Sequence, residues 1–305
     1  MNAVTVMLAT RDRVQLLARA LQSVWDQEGV GPLTAVVVFD GPVPDEAAAL
    51  PTPTRPGDRL VITRNEQHPG LAGARNHGLA LADDDVVAVL DDDDVWHPRK
   101  LSRQLRLLQQ HPQTALVGGG IRVVTAGARS VVRTPPAVVT HADLVADRVM
   151  ALHSSTFVAR RAALLAIDGW DTELEKGQGE DYDLLLRVAR AYGPIRAVDG
   201  LVADIHWDSG SYYRSNWQAL ASALTMLLDK HPEFASNPRG RARIEGQIAY
   251  AHAAMGNRGE SRRWQRRSRA DHWREPRAAL AALVASGVVS SRQVEKVLHA
   301  VGRGI

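Results

Sequence analysis

Short apolar runs alternate with stretches of helical spacing through the first half of the chain, the pattern of a sheet wrapped by helices. Val4 to Ala9 reads as a strand, and Asp12 is placed to cap a helix whose apolar face is Val14, Leu17, Leu21 and Val24. Leu33 to Phe39 predicts a second strand and, after the proline-rich connection LPTPTRPGD, Arg59 to Thr63 a third. GLAGARNHGLALA opens a helix of small residues able to pack close to the sheet, and Val86 to Leu90 predicts a fourth strand. Pro98 suits the first turn of the next helix, which carries Leu101, Leu105 and Leu108 on one side. Further strands are expected at Ala115 to Val124, Ser154 to Ala159 and Leu201 to His206, with a helix from Asp181 to Ala191. From Trp217 onward the spacing is helical throughout, so 1–210 reads as an α/β domain and 211–305 as a helical region, divided near Ser211 by a shift in composition.

The polar residues gather at strand ends. Thr10 and Arg11 follow strand one, Asp40 strand two, Arg64 and Asn65 strand three, and Asp91 to Asp94 strand four. In an open α/β sheet the carboxyl edge is where ligands bind, so these groups are expected to converge on one crevice. Four consecutive carboxylates repel one another unless a positive group sits among them. In an extended segment side chains i and i+2 share a face, which would let Asp91 and Asp93 hold one cation together. A hard divalent ion held by one or two carboxylates and a substrate diphosphate suits that arrangement. An acidic turn ahead of a helix is the plainer alternative, since the helix dipole favours Asp there.

Composition narrows the chemistry. The chain has 305 residues and no cysteine, which removes disulfides, thiolate zinc sites and cysteine nucleophiles. Nowhere is there an apolar run long enough to cross a bilayer, and the N-terminus lacks a secretory pattern, so the expectation is a cytoplasmic protein. The net charge of +3 is unevenly spread: Ser211 to Ile305 holds 16 Lys and Arg against 7 Asp and Glu, the rest 21 against 27. The basic tail reads first as solvated helix faces. Trp264 among Arg262, Arg263, Arg266 and Arg267 also permits peripheral contact with the inner membrane face.

Five segments together resemble one family. LDDDDVWHP resembles the Leu-Asp-x-Asp-Asp-x-x-x-Pro signature of the family 2 inverting glycosyltransferases, nucleotide-sugar enzymes of the GT-A fold. VTVMLATRDRVQLLARALQSVWDQ resembles that family's first strand and helix, VVVFDGP its Asp-Asp-Gly-Ser turn, GLAGARNHGLALA its Gly-x-x-x-Ala-Arg-Asn-x-Gly helix, and GEDYDLLLRVA its Glu-Asp-x-Asp-Leu segment. The likeness spans roughly Met1 to Ser211, with the motifs in the family's order. The chain departs from the pattern where Ala9 replaces the usual Pro, Arg11 the Tyr, Asp12 the Asn and Phe39 the first Asp of the pair.

The resemblance implies a Rossmann-like, mixed central sheet flanked by helices, with nucleotide-sugar binding in 1–112 and the acceptor side in 113–210. It implies a nucleotide-diphosphate sugar donor, with UDP as default, and a Mg²⁺ or Mn²⁺ cofactor. Donor binding falls to Thr10, Arg11, Asp40, Arg75 and Asp92, and the metal to Asp91, Asp93 and His206. Asp94 is expected, like Asp92, to satisfy backbone donors or Arg75. Asp181 is the implied general base, with Glu180 and Asp183 as rivals in the same turn. His153, ahead of SSTFVARR, reads mainly as structural, and Trp170 and Trp207 could stack on a sugar face. The acceptor, a glycan, lipid, peptide or metabolite, would be read by loops around Ala126 to Asp147 and Gly169 to Gly179, and no nucleic-acid partner is implied. The competing readings are a sugar-phosphate nucleotidyltransferase, disfavoured by the lack of a Gly-rich phosphate loop after strand one, a glycoside hydrolase using two carboxylates such as Asp93 and Asp181, and an inactive fold used for binding.

Overall fold

A computed structural model of the chain describes residues 3–125, 130–174, 179–207 and 216–300. They divide into two compact units, one drawn from 1–141, 149–172 and 184–207, the other from 142–148, 173–183 and 208–305. The expected boundary at Ser211 lies outside the described residues, as do parts of the two expected acceptor loops.

In chain order the elements are β1 (Val4–Thr10), α1 (Val14–Trp25), β2 (Leu33–Phe39), β3 (Arg59–Arg64), α2 (Leu71–Leu81), β4 (Val86–Asp91), β5 (Val95–Trp96) and α3 (Lys100–Gln110). There follow β6 (Leu116–Val124), β7 (Val131–Arg133), β8 (Val138–Val139), α4 (His141–Ala146), β9 (Val158–Arg160), α5 (Arg161–Ala166), α6 (Glu180–Tyr192) and β10 (Ile195–His206). The chain continues through α7 (Trp217–Lys230), α8 (Pro238–Ala254), α9 (Arg258–Asp271), α10 (Pro276–Ser286) and α11 (Ser291–Ala300).

The strands form one mixed sheet in the order β3-β2-β1-β4-β9-β6-β10-β5, with β7 beside β6 and β8 beside β10. β3, β2, β1 and β4 run parallel, whereas β9 is antiparallel to both β4 and β6. The chain winds outward from β1 to β3 and then returns to place β4 on the other side of β1. That reversal opens a crevice beyond the carboxyl ends of β1 and β4, where Ala9 is in register with Asp91.

Alternation along the strands sets the two faces. Val4, Val6 and Leu8 of β1 pack with Leu17, Leu21 and Val24 of α1 and with Leu101, Leu105 and Leu108 of α3, all buried. Ala9, Val36 and Val38, on the opposite face, meet Ala74 and Leu71 of α2. Each fully buried Val or Leu in these layers contributes about 1.5–3 kcal/mol relative to exposure. Small residues let α2 approach the sheet: a Cβ on Gly78 would lie 3.4 Å from Cβ of Met7 in β1, and one on Gly73 would lie 1.6 Å from the His68 carbonyl oxygen in the loop before the helix.

Three expectations are corrected. α1 begins after Arg13 with no side-chain cap, so Asp12 is not the N-cap residue. Ser154–Thr156 forms a turn of 3₁₀ helix, and the strand there is only Val158–Arg160. The cause is local, because the amides of Thr156 and Phe157 close back on the carbonyls of His153 and Ser154. The strand expected over Leu201–His206 starts earlier, at Ile195.

In the second unit α8 is the central helix, with Ile244, Ile248, Ala249 and Ala251 inaccessible to solvent. Asn216 and Asn237 cap α7 and α8 by accepting from Ala219 and Gly240 amides. α9 is fastened to α8 by two buried hydroxyls, Ser261 donating to the Ala249 carbonyl at 2.8 Å and Ser268 to the Ala242 carbonyl at 2.7 Å.

Candidate active site

The four aspartates do not continue β4 as an extended strand. The chain folds back after Asp91, whose carbonyl accepts from the Asp94 amide at 3.2 Å. Strand alternation therefore fails at the residues where it would have paired Asp91 with Asp93, and the turn sorts the four carboxylates differently. Asp91 accepts from Arg75 Nη2 at 2.6 Å and from Ser154 Oγ at 2.7 Å. Asp92, buried, accepts from Thr10 Oγ1 at 2.6 Å and pairs with the Arg13 guanidinium, while Arg13 also reaches Asp93 at 2.8 Å. Asp94, buried, accepts from Ser155 Oγ at 2.5 Å and from the main-chain N–H of His206 at 3.0 Å, and His153 Nδ1 stands 3.6 Å from it.

Two guanidinium groups thus face four carboxylates, which leaves a formal charge of −2 when all four are ionised. Burial opposes ionisation of Asp91, but the Arg75 charge, His153 and the bonds from Arg75 and Ser154 outweigh it and bring its pKa down to about 2. Burial pushes Asp92 up to about 6 against the pull of Arg13 and Thr10. Burial, and then the charges of Asp91 and Asp93, push Asp94 well above the ordinary carboxylate range. A carboxylate whose proton affinity is raised by burial and by neighbouring carboxylates marks a place where a cation would compete with a proton. Asp91, Asp94 and His153 each offer a ligand atom, all within 4.8 Å of one another. His206 adds a buried Nδ1 with no hydrogen-bond partner in the structure. Carboxylate and imidazole donors in this number suit Mg²⁺ or Mn²⁺ completed by phosphate and water.

Beside the turn lies a cavity of about 960 Å³, lined among others by Arg11, Arg13, Asp40, Gly41 and Pro42. Arg13 belongs to both, lining the cavity while it grips Asp92 and Asp93. Asp40 Oδ1 accepts from Asn65 Nδ2 at 3.0 Å and from the Gly70 amide at 2.8 Å, which ties the end of β2 to the start of α2. Gly70 has φ 111° there, a conformation that favours glycine.

In the second unit, the first turn of α6 separates its three acids. Asp183 is inaccessible, with Lys230 Nζ and His231 Nε2 each 2.9 Å from its Oδ1. Glu180 is buried, and Asp181 is partly exposed. Tyr182, between them, donates its hydroxyl proton to the Leu144 carbonyl and accepts from Arg243 Nη2 at 2.9 Å.

Within the first unit, then, Arg75 bonds Asp91, Thr10 and Arg13 bond Asp92 and Arg13 also Asp93, Arg11 and Asp40 line the adjoining cavity, and His206 meets Asp94 through its main chain. Trp170 is corrected: it is 1% exposed, bonded to Asn76 and packed against Arg75 with the guanidinium 5.7 Å from its ring, so it has no face to offer a sugar. Trp207 stays partly exposed, with Arg133 5.2 Å from its ring. Sequence reasoning missed Arg13, Ser154 and Ser155 and undervalued His153. Arg13 was signalled by its place two residues after Arg11, following β1; the serines were hidden by their reading as strand.

A mixed sheet with an acidic turn at its switch point and a cavity beside it defines an α/β enzyme that binds at the carboxyl edge of its strands. Residues 5–164, more than half of the chain, match glycosyl transferase family 2. The chain belongs to that family, and its enzyme class is glycosyltransferase. It is 23% identical over 227 residues to the amylovoran biosynthesis glycosyltransferase AmsE of Erwinia amylovora, covering 74% of this chain and 84% of that one. Among solved structures it resembles residues 1–349 of S. aureus TarS in complex with UDP-GlcNAc, at a TM-score of 0.63 and 16% identity, over 96% of this chain and 92% of that one. It also resembles the Pyrobaculum calidifontis mannosyltransferase PcManGT in complex with GDP-Man and Mn²⁺, at a TM-score of 0.56 and 19% identity, over 95% and 81%. The fold is thus GT-A. Family membership sets aside the nucleotidyltransferase and hydrolase alternatives.

Proposed function

We propose that the chain moves a sugar from a nucleotide-diphosphate donor, UDP by default, to an acceptor hydroxyl, with inversion at the anomeric carbon and a divalent metal, Mg²⁺ or Mn²⁺. The observation that carries this reading is the acidic turn: four carboxylates against two guanidinium groups, an Asp91, Asp94 and His153 ligand set, and an adjoining cavity that Arg13 also lines. The known complexes of TarS with UDP-GlcNAc and of PcManGT with GDP-Man and Mn²⁺ support donor and metal alike.

Asp91, Asp94 and His153 would hold the metal, with His206 adjacent. When bound, it supplies positive charge against the leaving diphosphate. This set takes the place of Asp91, Asp93 and His206 because Asp94 and His153 bring ligand atoms within 4.8 Å of one another and of Asp91. Asp40, Arg11 and Arg13 line the base and diphosphate space, where an acceptor-only carboxylate takes an N–H from the base edge and guanidinium forks meet phosphate oxygens. Thr10 and Asp92 hold Arg13 in place, and Arg75 fixes Asp91.

Asp181 is the general base. As the acceptor oxygen attacks the anomeric carbon, its proton passes to Asp181 and the bond to the diphosphate breaks on the opposite face. Of the three acids in that turn, Asp181 is the one with solvent access, Glu180 and Asp183 being buried. On the same reading residues 1–112 serve the donor, 113–210 the acceptor and 211–305 form the helical region. The acceptor is a glycan, lipid, peptide or metabolite, and the place of action is the cytoplasm.

The test is Asp181→Asn followed by donor hydrolysis and donor affinity. The expected result is a loss of turnover of roughly two to four orders of magnitude with affinity nearly unchanged, and a smaller loss for Glu180→Gln. If Glu180→Gln loses turnover and Asp181→Asn keeps it, the base is Glu180. If both keep it, the reading of this turn is wrong.

A further inference from the structure

The stretch Arg258 to Arg274 carries seven arginines against Glu260 and Asp271, a net of +5 with His272 neutral. Both acids are already engaged: Arg263 lies 3.4 Å from Glu260, and Arg241 grips Asp271. Arg267 is likewise taken, 2.9 Å from Glu245. Arg258, Arg262, Arg266 and Arg269 are all exposed and, among the described residues, stand within ion-pair distance of no carboxylate. At 3.6 residues per turn these four fall within an arc of about 80° along about 16 Å of helix. The buried stripe of Ser261, Trp264, Gln265 and Ser268 occupies a different arc and faces α8.

The structure also moves the aromatic component of this surface. Trp264 is 7% exposed and belongs to the packed side of α9, so it cannot serve an outer surface. Trp273, just past the end of α9, is 71% exposed, and Arg274 lies 4.4 Å from its ring centroid. Beyond it, Ala278 to Ser291 has no charged residue, and Leu283 and Val288 are exposed there. A row of uncompensated guanidinium groups, an exposed tryptophan and an uncharged segment with exposed aliphatic side chains thus follow one another along Arg258 to Ser291.

We infer that α9 and the segment after it dock the protein on an anionic lipid bilayer surface, the arginine row meeting headgroup phosphates and Trp273 entering the interface. The combination favours a bilayer over a nucleic acid, because a nucleic acid would use the charge and leave Leu283 and Val288 exposed. The inference gives the membrane contact definite residues, and it stands apart from the donor chemistry, since none of these residues lines the cavity or the acidic turn.

The test is flotation of the full chain with vesicles of phosphatidylcholine alone or mixed with phosphatidylglycerol, at low and high salt. Binding is expected to require phosphatidylglycerol and to weaken with salt. R262E with R266E should lower it at least about thirtyfold, given the contribution of each basic residue near an anionic surface. W273S should lower it about tenfold, and circular dichroism should be unchanged in both variants. Equal binding to neutral vesicles, or wild-type binding by the arginine variant, overturns the proposal. So does an oligonucleotide bound in an arginine-dependent way by a protein that ignores the vesicles. No nucleotide enters the assay, so its failure leaves the glycosyl-transfer reading intact, and the reverse.

Discussion

Lys100 is wholly buried at the start of α3, its Nζ 4.0 Å from the centroid of the Trp96 ring and without a hydrogen-bond partner in the structure. Burial pushes its pKa well below the usual lysine range. The ring's attraction for an ammonium is worth about 0.5–2 kcal/mol, less than the desolvation it would have to offset. The folded chain therefore binds that proton less tightly than the unfolded chain, whose lysine titrates at about pH 10.4, and stability rises with pH up to that range. Lys100→Met keeps the volume and removes the buried polar group. Urea unfolding should show the variant about 1–3 kcal/mol more stable at neutral pH, with the gain shrinking as the pH approaches the lysine range; a less stable variant would mean that the amine has a favourable role in the fold. Which side chains belong to the acidic turn was only partly legible. Asp91, Asp92, Asp40 and Thr10 stood out because polar groups at strand ends are few, and Arg75 through the family likeness of the GLAGARNHGLALA helix. Arg13 had only its place two residues after Arg11 to mark it, because its two partners lie about eighty positions away.

At the scale of elements, periodicity located β1, α1, β2, α3 and β4 to within a residue or two, since each has one buried face or two. It failed at Ser154–Thr156, where two hydroxyls bonded to Asp91 and Asp94 fix a turn in a segment whose composition suits a strand. It also failed at the acidic turn, where the alternation of β4 was continued past Asp91 and the chain turns back instead. α2 shows what composition did reveal. Its glycines and alanines predicted close packing on the sheet, which Gly78 makes against Met7 of β1, while Gly73 is tight against the His68 carbonyl of the preceding loop. Because the obstructing atom is backbone, Gly73→Ala must shift the start of α2, which carries Arg75 and adjoins the Gly70 amide that holds Asp40. The expected cost is about 3 kcal/mol in urea unfolding, with loss of nucleotide binding. Full stability in the variant would show that the approach is looser than the structure has it.

At the scale of the whole molecule, five motifs in order carried the family and the GT-A fold, whereas the two-unit division was only half visible. A composition shift marks the helical region, but nothing local says that 142–148 and the first turn of α6 cluster with it. The contacts that put them there are scattered: Tyr182 with Leu144 and Arg243, Asp183 with Lys230 and His231. The account rests on the claim that the acidic turn presents a divalent metal to a nucleoside diphosphate. Calorimetric titration with UDP, GDP, dTDP and CDP, with and without Mn²⁺, tests it most directly. One of them should bind at least about tenfold more tightly with the metal, Asp94→Ala should abolish that difference, and Asp93→Ala should retain most of it. Binding of equal strength with and without Mn²⁺ in the wild type, or a metal effect that survives Asp94→Ala and vanishes in Asp93→Ala, would contradict it.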